Sequence, residues 1–289
     1  MKPVPFDYYA PRTVEEAARL LAEAAGGAAV LAGGQTLLPL LNLRMSQPLV
    51  LVDITRIPEL KGIREAEGGL WVGAATTQNE LLESPLTARL LPALARAVRH
   101  VGHHATRNRG TVGGSIALGE PAAELPATAV ALGAEVETYS PRGRRRIPAR
   151  EFYLAPYATV LEGDELVTGI RFPPWPAEHR PLFAELARRP GDFALVGVVG
   201  ALAVAEGRVE RAGLAWFAMG PTPVVARRAE TLLQGAALAD WDPAAVVEAA
   251  LADTAPFDDH HASGEYRRAV GGRLLARALE EALGRREAA

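Results

Sequence analysis

The chain has 289 residues, 49% hydrophobic and 22% charged, so it can bury a substantial core, and disordered or fibrous classes are excluded. At about 150 residues per domain, this length predicts two domains. Lys and Arg total 31 against 34 Asp and Glu, leaving no global field to attract nucleic acid, and the lack of cysteine removes disulfides, thiolate nucleophiles and cysteine-held zinc or iron–sulfur clusters from this chain.

Thr13 and Glu16 form a capping-box pattern, and Val14, Ala17, Ala18, Leu21 and Ala24 fall at helical spacing, predicting a helix from Thr13 to Ala25. Ala28 to Leu31 predicts a buried strand, followed by the glycine loop Ala32-Gly33-Gly34-Gln35-Thr36 and an apolar helical stretch from Leu37. With a second strand over Leu49 to Ile54, the opening residues read as a small parallel α/β layer. Ile63 to Glu67 and Leu70 to Ala74 flank Gly68-Gly69 as a β-hairpin. Ser84-Pro85, a cap and a first helical residue, open a helix expected to reach about Val101. Gly102 to Ser115 reads as a polar loop with histidines and arginines, closing on a second double glycine. Ala134 to Tyr139 and Leu166 to Phe172 read as strands, and Arg142 to Arg146 as an exposed arginine turn.

Phe172-Pro173-Pro174-Trp175-Pro176 denies the chain both helix and central strand, which places a boundary near residue 176. It separates 1–175, with subdomains of about 1–55 and 56–175, from 176–289. Beyond it, Phe193 to Ala205 and Val209 to Phe217 predict strands joined at Glu206-Gly207, and helix patterns start near Pro223, Asp242 and Ser263. The expected class is α+β. Phe193 to Ala205 is also the longest nearly apolar run, short of the roughly 18 residues that span a bilayer. Pro3, Pro5, Pro11 and Glu15-Glu16 break any signal-peptide pattern, so a cytoplasmic protein is expected.

Two glycine pairs carry the chemical signal: Gly33-Gly34-Gln35-Thr36 and Thr111-Val112-Gly113-Gly114-Ser115. Adjacent glycines let main-chain N–H groups approach an anion and form a concave donor nest, which suits a pyrophosphate without Lys or Arg. Either pair alone is also an ordinary tight turn, and neither matches the Rossmann or P-loop glycine pattern. His100, His103 and His104 have helical spacing, but Gly102 interrupts the helix and no HExxH pattern accompanies them, so a loop or interface role is favoured over metal. No GxSxG elbow supports a serine hydrolase.

The two loops, about 75 residues apart, resemble the FAD-pyrophosphate loops of the flavin-binding medium subunit of molybdenum hydroxylases, the family of carbon monoxide and xanthine dehydrogenases. Supporting segments follow in order: Leu51 to Ile54, Gly69 to Ala74, Arg107-Asn108-Arg109-Gly110, Pro121 to Glu124, Arg188 to Ala194, and Ala262 to Arg268. The resemblance implies a two-subdomain FAD-binding domain of the vanillyl-alcohol-oxidase and p-cresol methylhydroxylase type, then a C-terminal antiparallel sheet with helices. It implies that Ala32, Gly33, Gly34, Gln35, Thr36, Leu37, Asn108, Thr111, Gly113, Gly114 and Ser115 surround the diphosphate and adjoining sugar groups. Glu124 would accept from ribityl or ribose hydroxyls, and Val167, Arg189 and Phe193 would lie near the isoalloxazine, Phe193 covering its face.

The resemblance also implies partners: a large subunit with molybdopterin, a small subunit with iron–sulfur clusters, a heterotrimeric unit present in two copies, and NAD, a quinone or oxygen as electron acceptor. No nucleic acid and no membrane span are implied. Ser115 stands where many relatives have asparagine, Ala105-Thr106 where they often have Gln-Ile, and Glu185 close to where several have a flavin-facing lysine. Two other readings stay open: a self-sufficient flavoenzyme of the superfamily, such as an NADPH-dependent reductase of an enolpyruvyl sugar nucleotide, and a non-redox module binding some other phosphorylated ligand.

Overall fold

The computed structural model describes residues 2–238 and 241–283. It opens with β1 (Asp7–Tyr9), α1 (Val14–Glu23), β2 (Ala28–Leu31), α2 (Leu37–Asn42) and β3 (Val50–Asp53). The three strands form a parallel sheet in the order β1-β3-β2. Thr13 caps α1 by accepting from Glu16 N–H, but the Glu16 carboxylate takes the N–H of Arg12 rather than that of Thr13, so only half of the capping box forms. β1 was not expected: its three residues are all exposed and show no alternation, and Tyr8 ties it to the layer by donating to Asp53.

β4 (Ile63–Ala66) and β5 (Gly69–Gly73) form the expected hairpin, with Glu67 and Gly68 at φ 52° and 77° in a two-residue turn. Next come α3 (Gln78–Glu83), α4 (Pro85–Leu90) and α5 (Pro92–His100). The single helix expected from Ser84 to Val101 is therefore two. Pro92 has no N–H to continue the ladder and pushes Leu91 to φ −143°, ψ 69°, outside the helical region. The supposed loop 102–115 contains α6 (His104–Arg107) and the first turn of α7 (Val112–Leu118), and α8 (Glu124–Leu132) follows.

Then come β6 (Glu135–Ser140), β7 (Gly143–Pro148), α9 (Ala149–Phe152), β8 (Tyr153–Ala155), β9 (Ala158–Thr159) and β10 (Leu166–Phe172). A five-stranded antiparallel sheet has the order β4-β5-β10-β6-β7. The arginine segment is a correction. Arg144 to Arg146 lie on the edge strand β7, paired with β6, where opposed acids hold them: Arg142 grips Asp164 at 2.5 and 2.8 Å, and Arg145 grips Glu165. Charged edges of this kind discourage pairing with another chain.

After the proline linker come β11 (Arg180–Ala187), β12 (Ala194–Ala205), β13 (Arg208–Phe217), β14 (Val224–Val225), α10 (Arg227–Leu233), α11 (Pro243–Ala252) and α12 (Gly264–Leu283). The helix expected near Pro223 begins at Arg227, because Val224 and Val225 pair with β13 first. β12 is apolar throughout because both its faces are covered. Val199 and Ala201 join the core beneath α8, whereas Val196, Val198 and Leu202 join the core beneath α12. The linker is pinned by Trp175 Nε1 donating to Leu132 O and by Arg211 donating to Pro174 O.

One close approach seats α8 on this sheet. A Cβ on Gly213 would lie 2.3 Å from Ala131 O, so only glycine allows the contact. Gly213→Val is expected to lower unfolding free energy by about 1–3 kcal/mol through overpacking. The check is the denaturant midpoint at unchanged m value.

Candidate flavin-nucleotide site

Gly33 and Gly34 bend the chain out of β2 toward α2. A Cβ on Gly33 would sit 2.1 Å from Arg109 O and 2.7 Å from Gly110 Cα, so the first loop rests directly on the approach to the second. Gly34 has φ +71°, a conformation suited to glycine. The N–H groups of Gly33, Gly34, Gln35 and Thr36 carry no bond to the rest of the described protein. Thr36 precedes α2 without capping it, leaving its hydroxyl uncommitted, and Gln35 folds its amide back to Gly33 O at 3.3 Å. Four consecutive free donors at a solvent-facing turn form an anion nest.

The second loop is built differently from expectation. Thr111 is the N-cap of α7, and its hydroxyl accepts from Gly114 N–H at 3.1 Å. Val112 N–H donates to Thr76 O, Gly113 N–H to Ala74 O and Ser115 N–H to Thr111 O. The main-chain donors of residues 112–115 are thus consumed internally, because the glycines form the first turn of a capped helix rather than an open loop. Its outward offerings are the Ser115 hydroxyl and the bare surface of Gly114, whose added Cβ would lie 3.9 Å from Ala32 Cβ across the gap between loops. Gly113 needs its small size against β5, since a Cβ would meet Ala74 Cβ at 2.5 Å. Nearby, the Asn108 amide lies 3.0 Å from His104 Nδ1.

The remaining predicted residues lie on other elements. Val167, buried on β10, precedes Thr168, whose carbonyl accepts the N–H of the same Ala74 that supports Gly113. Arg189 is exposed in the turn between β11 and β12, and Phe193 at its end is 64% exposed, so it is no core residue. Gly191 holds this turn against the segment before α6, because a Cβ would lie 2.7 Å from Gly102 O and 2.8 Å from His103.

A family profile described as "FAD binding domain in molybdopterin dehydrogenase" matches residues 4–175, and one described as "CO dehydrogenase flavoprotein C-terminal domain" matches residues 182–282. The chain belongs to this flavoprotein family of molybdenum-containing dehydrogenases. It is 37% identical to the carbon monoxide dehydrogenase medium chain of Hydrogenophaga pseudoflava over 285 residues, 99% of each chain. It is 38% identical to the 6-hydroxypseudooxynicotine dehydrogenase complex subunit alpha of Paenarthrobacter nicotinovorans, over 99% of this chain and 97% of that one. The solved carbon monoxide dehydrogenase of H. pseudoflava that lacks the Mo-pyranopterin moiety superposes with TM-score 0.95 at 38% identity, covering 99% of this chain and 100% of that one.

This FAD-binding medium subunit is therefore a component of an oxidoreductase, which sets aside the reading as a non-redox phosphate module. Among the described residues no helix is long and apolar enough to cross a membrane. Its residues fit an FAD diphosphate: the nest supplies donors without a cation, and the lack of a side chain at Gly114 leaves the gap toward Ala32 open.

Glu124 is the residue that the resemblance implies would accept from ribityl or ribose hydroxyls. The structure excludes the surface, since Glu124 is 5% exposed as the first residue of α8. Desolvation, reinforced by the charge of Glu185, pushes its carboxyl up to about 8. Burial pushes Glu185 itself up to about 7.

Proposed function

We propose that residues 1–175 carry the flavin and residues 176–289 close its site with the turn between β11 and β12. The diphosphate lies on the N–H groups of Gly33, Gly34, Gln35 and Thr36, between Ala32 and Leu37, with the Thr36 and Ser115 hydroxyls beside it. Thr111, Gly113 and Gly114 hold α7 close enough to face that nest, and Asn108 borders it. Glu124 accepts from a sugar or ribityl hydroxyl, and Val167, Arg189 and Phe193 border the isoalloxazine, with exposed Phe193 placed to cover it. Bound there, FAD supplies two-electron redox chemistry, while the protein binds it, orients it and sets its potential.

In this reading the subunit takes electrons from iron–sulfur clusters of a small partner subunit. Those clusters are fed by a large molybdopterin subunit that oxidises the substrate. The flavin then delivers electrons to NAD or a quinone in the cytoplasm. The row of four unpartnered N–H groups opposite Gly114 carries the flavin assignment. Substrate choice falls outside this chain: relatives of 37% and 38% identity are named for carbon monoxide and for 6-hydroxypseudooxynicotine.

The test has two arms. The purified chain, incubated with FAD and gel-filtered, is expected to retain one FAD, identified after denaturation. A tagged chain drawn from its producing cells is expected to bring two partner chains with iron and molybdenum. A folded chain that keeps no FAD, alone or with those partners, would overturn the reading.

A further inference from the structure

Neighbouring side chains of a strand point to opposite faces. In the five-stranded sheet Leu70, Val72, Val136 and Ile170 turn into the core that α7 and α8 cover, so Trp71, Glu137 and Arg171 turn the other way. On that second face Trp71 leans over Gly169 of β10, where a Cβ would lie 2.7 Å from Nε1. Beside it an open cavity of about 410 Å³ has Val14, Leu60 and Trp71 as its apolar walls. The walls are fixed by hydrogen bonds. Ala75 N–H donates to Leu60 O at 2.7 Å, Gly62 N–H to Thr76 Oγ1 at 2.9 Å and Val14 N–H to Glu59 Oε1 at 3.0 Å. No residue of 32–37 or 111–115 lines this cavity, so it is separate from the two glycine loops.

The charges on this face do not balance. Glu137 accepts from Trp71 Nε1 at 2.8 Å and from Arg171 at 3.0 and 3.1 Å, and Arg146 lies 3.2 Å away. Glu67 pairs with Arg171 and Arg146, and Glu59 meets Arg144 at 4.0 Å. Those carboxylates answer Arg144, Arg146 and Arg171. Lys61 and Arg64 line the same cavity, and neither side chain has a carboxylate or a hydrogen-bond acceptor among the described residues. Glu65, next to Arg64 on β4, is taken by Arg89 of α4 at 2.9 Å. Arg64 is nevertheless held in place, its guanidinium carbon 3.6 Å from the centre of the Trp71 ring. A guanidinium over an aromatic face keeps its N–H edge free, and that edge is the fork that takes an oxyanion through two bonds. Being placed in advance, it loses little freedom on binding.

We propose that this cavity binds a small dianion with an aliphatic body, a dicarboxylate or a phosphate monoester. Arg64 takes one oxyanion group bidentately, Lys61 answers the remaining charge, and Val14 and Leu60 lie against the carbon chain. The two uncompensated cations set the charge of the ligand. The Arg64 guanidinium already covers the Trp71 ring, so the cavity offers no free aromatic face for a base or other flat ring to stack on. The volume lies within the range of small-molecule sites. The site is independent of the flavin reading and stands whether or not FAD occupies the glycine nest.

Titration calorimetry of the full chain at low ionic strength tests this, with succinate and inorganic phosphate as separate probes and with FAD present and absent. At least one probe is expected to bind with a dissociation constant below about 1 mM, with or without FAD, and the tighter of the two names the anionic group. Arg64→Gln is expected to weaken binding at least about tenfold and Lys61→Gln about threefold or more, whereas Arg64→Lys, which keeps the charge without the fork, recovers part of the loss. Both side chains are exposed, so neither variant threatens folding. Arg277→Gln, an exposed charge removed from α12, is the control and is expected to leave affinity unchanged. Two results would overturn the proposal. One is no binding of either probe up to about 10 mM. The other is equal affinity in wild type, Arg64→Gln and Lys61→Gln, which would place the anion elsewhere; phosphate displaced by FAD alone would put it on the glycine nest.

Discussion

Gly33→Val is expected to weaken FAD binding about ten- to hundredfold while leaving the chain folded. The added Cβ would lie 2.1 Å from Arg109 O and 2.7 Å from Gly110 Cα, both backbone atoms that cannot step aside by changing rotamer. Overpacking of this kind costs about 1–3 kcal/mol, and about 1.4 kcal/mol is tenfold in affinity. In the empty protein the exposed loop relieves this strain by moving away from residues 109 and 110. The bound state demands the native apposition, so the cost appears in binding rather than in folding. Gly26→Ala is the control. Gly26 has φ +86° and nothing within 4 Å of an added Cβ, so the change is expected to cost about 1 kcal/mol of stability and leave affinity alone. FAD titration by flavin fluorescence, with a thermal melt of each variant, separates the two effects. Wild-type affinity in the Gly33 variant would remove the first loop from the site.

The contrast between the two loops shows what local sequence can reveal. Gly33-Gly34 and Gly113-Gly114 look alike as peptides, yet one leaves its N–H groups free and the other uses them. The difference is made by Ala74 O and Thr76 O, contributed by the segment just after β5, and by the Thr111 cap. Where a pattern is local, the sequence suffices: the turn at Glu206-Gly207 and the two long strands after the prolines lie where their spacing puts them, and the first hairpin forms with its turn at Glu67-Gly68, one residue before the expected Gly68-Gly69. α8 escaped because all nine of its residues are buried, leaving no polar face to set a helical period. β11 escaped because Pro181 and mixed, half-buried side chains blur its alternation. Glu124 is buried because α8 lies across the strands of the last sheet, a long-range consequence that its sequence neighbours do not encode.

Arg267→Met is expected to destabilise the chain by about 3–5 kcal/mol, the usual consequence of removing one member of a buried charged network. With the side chain 3% exposed, one guanidinium nitrogen donates to Leu195 O and Ala218 O, and the other reaches Asp259 at 2.7 Å. Methionine fills similar volume but donates nothing, so two carbonyls and a carboxylate lose their partner. At about 2–4 °C per kcal/mol for chains somewhat shorter than this one, the melting temperature should fall by roughly 10 °C. The staple matters for the flavin site too. Leu195 follows Phe193 closely, and Ala218 N–H donates to Pro121 O, three residues before Glu124. Arg267 thus anchors both ends of the wall that carries the rim aromatic and the buried acid. Burial raises the Asp259 carboxyl, but N–H donation from Ala262 and His261 and the charge and hydrogen bond of Arg267 outweigh it, holding the pKa below the usual value. For such an acid the stabilisation is full above the unfolded-state pKa and is lost as pH falls through the lower folded value. The wild-type advantage over Arg267→Met should therefore shrink in strong acid. Arg267→Lys keeps the charge without the planar fork and should recover only part of the loss. Melting curves of the three proteins at neutral and acid pH decide it: a methionine variant within about 2 °C of wild type at neutral pH would show that the guanidinium contributes little to holding this wall.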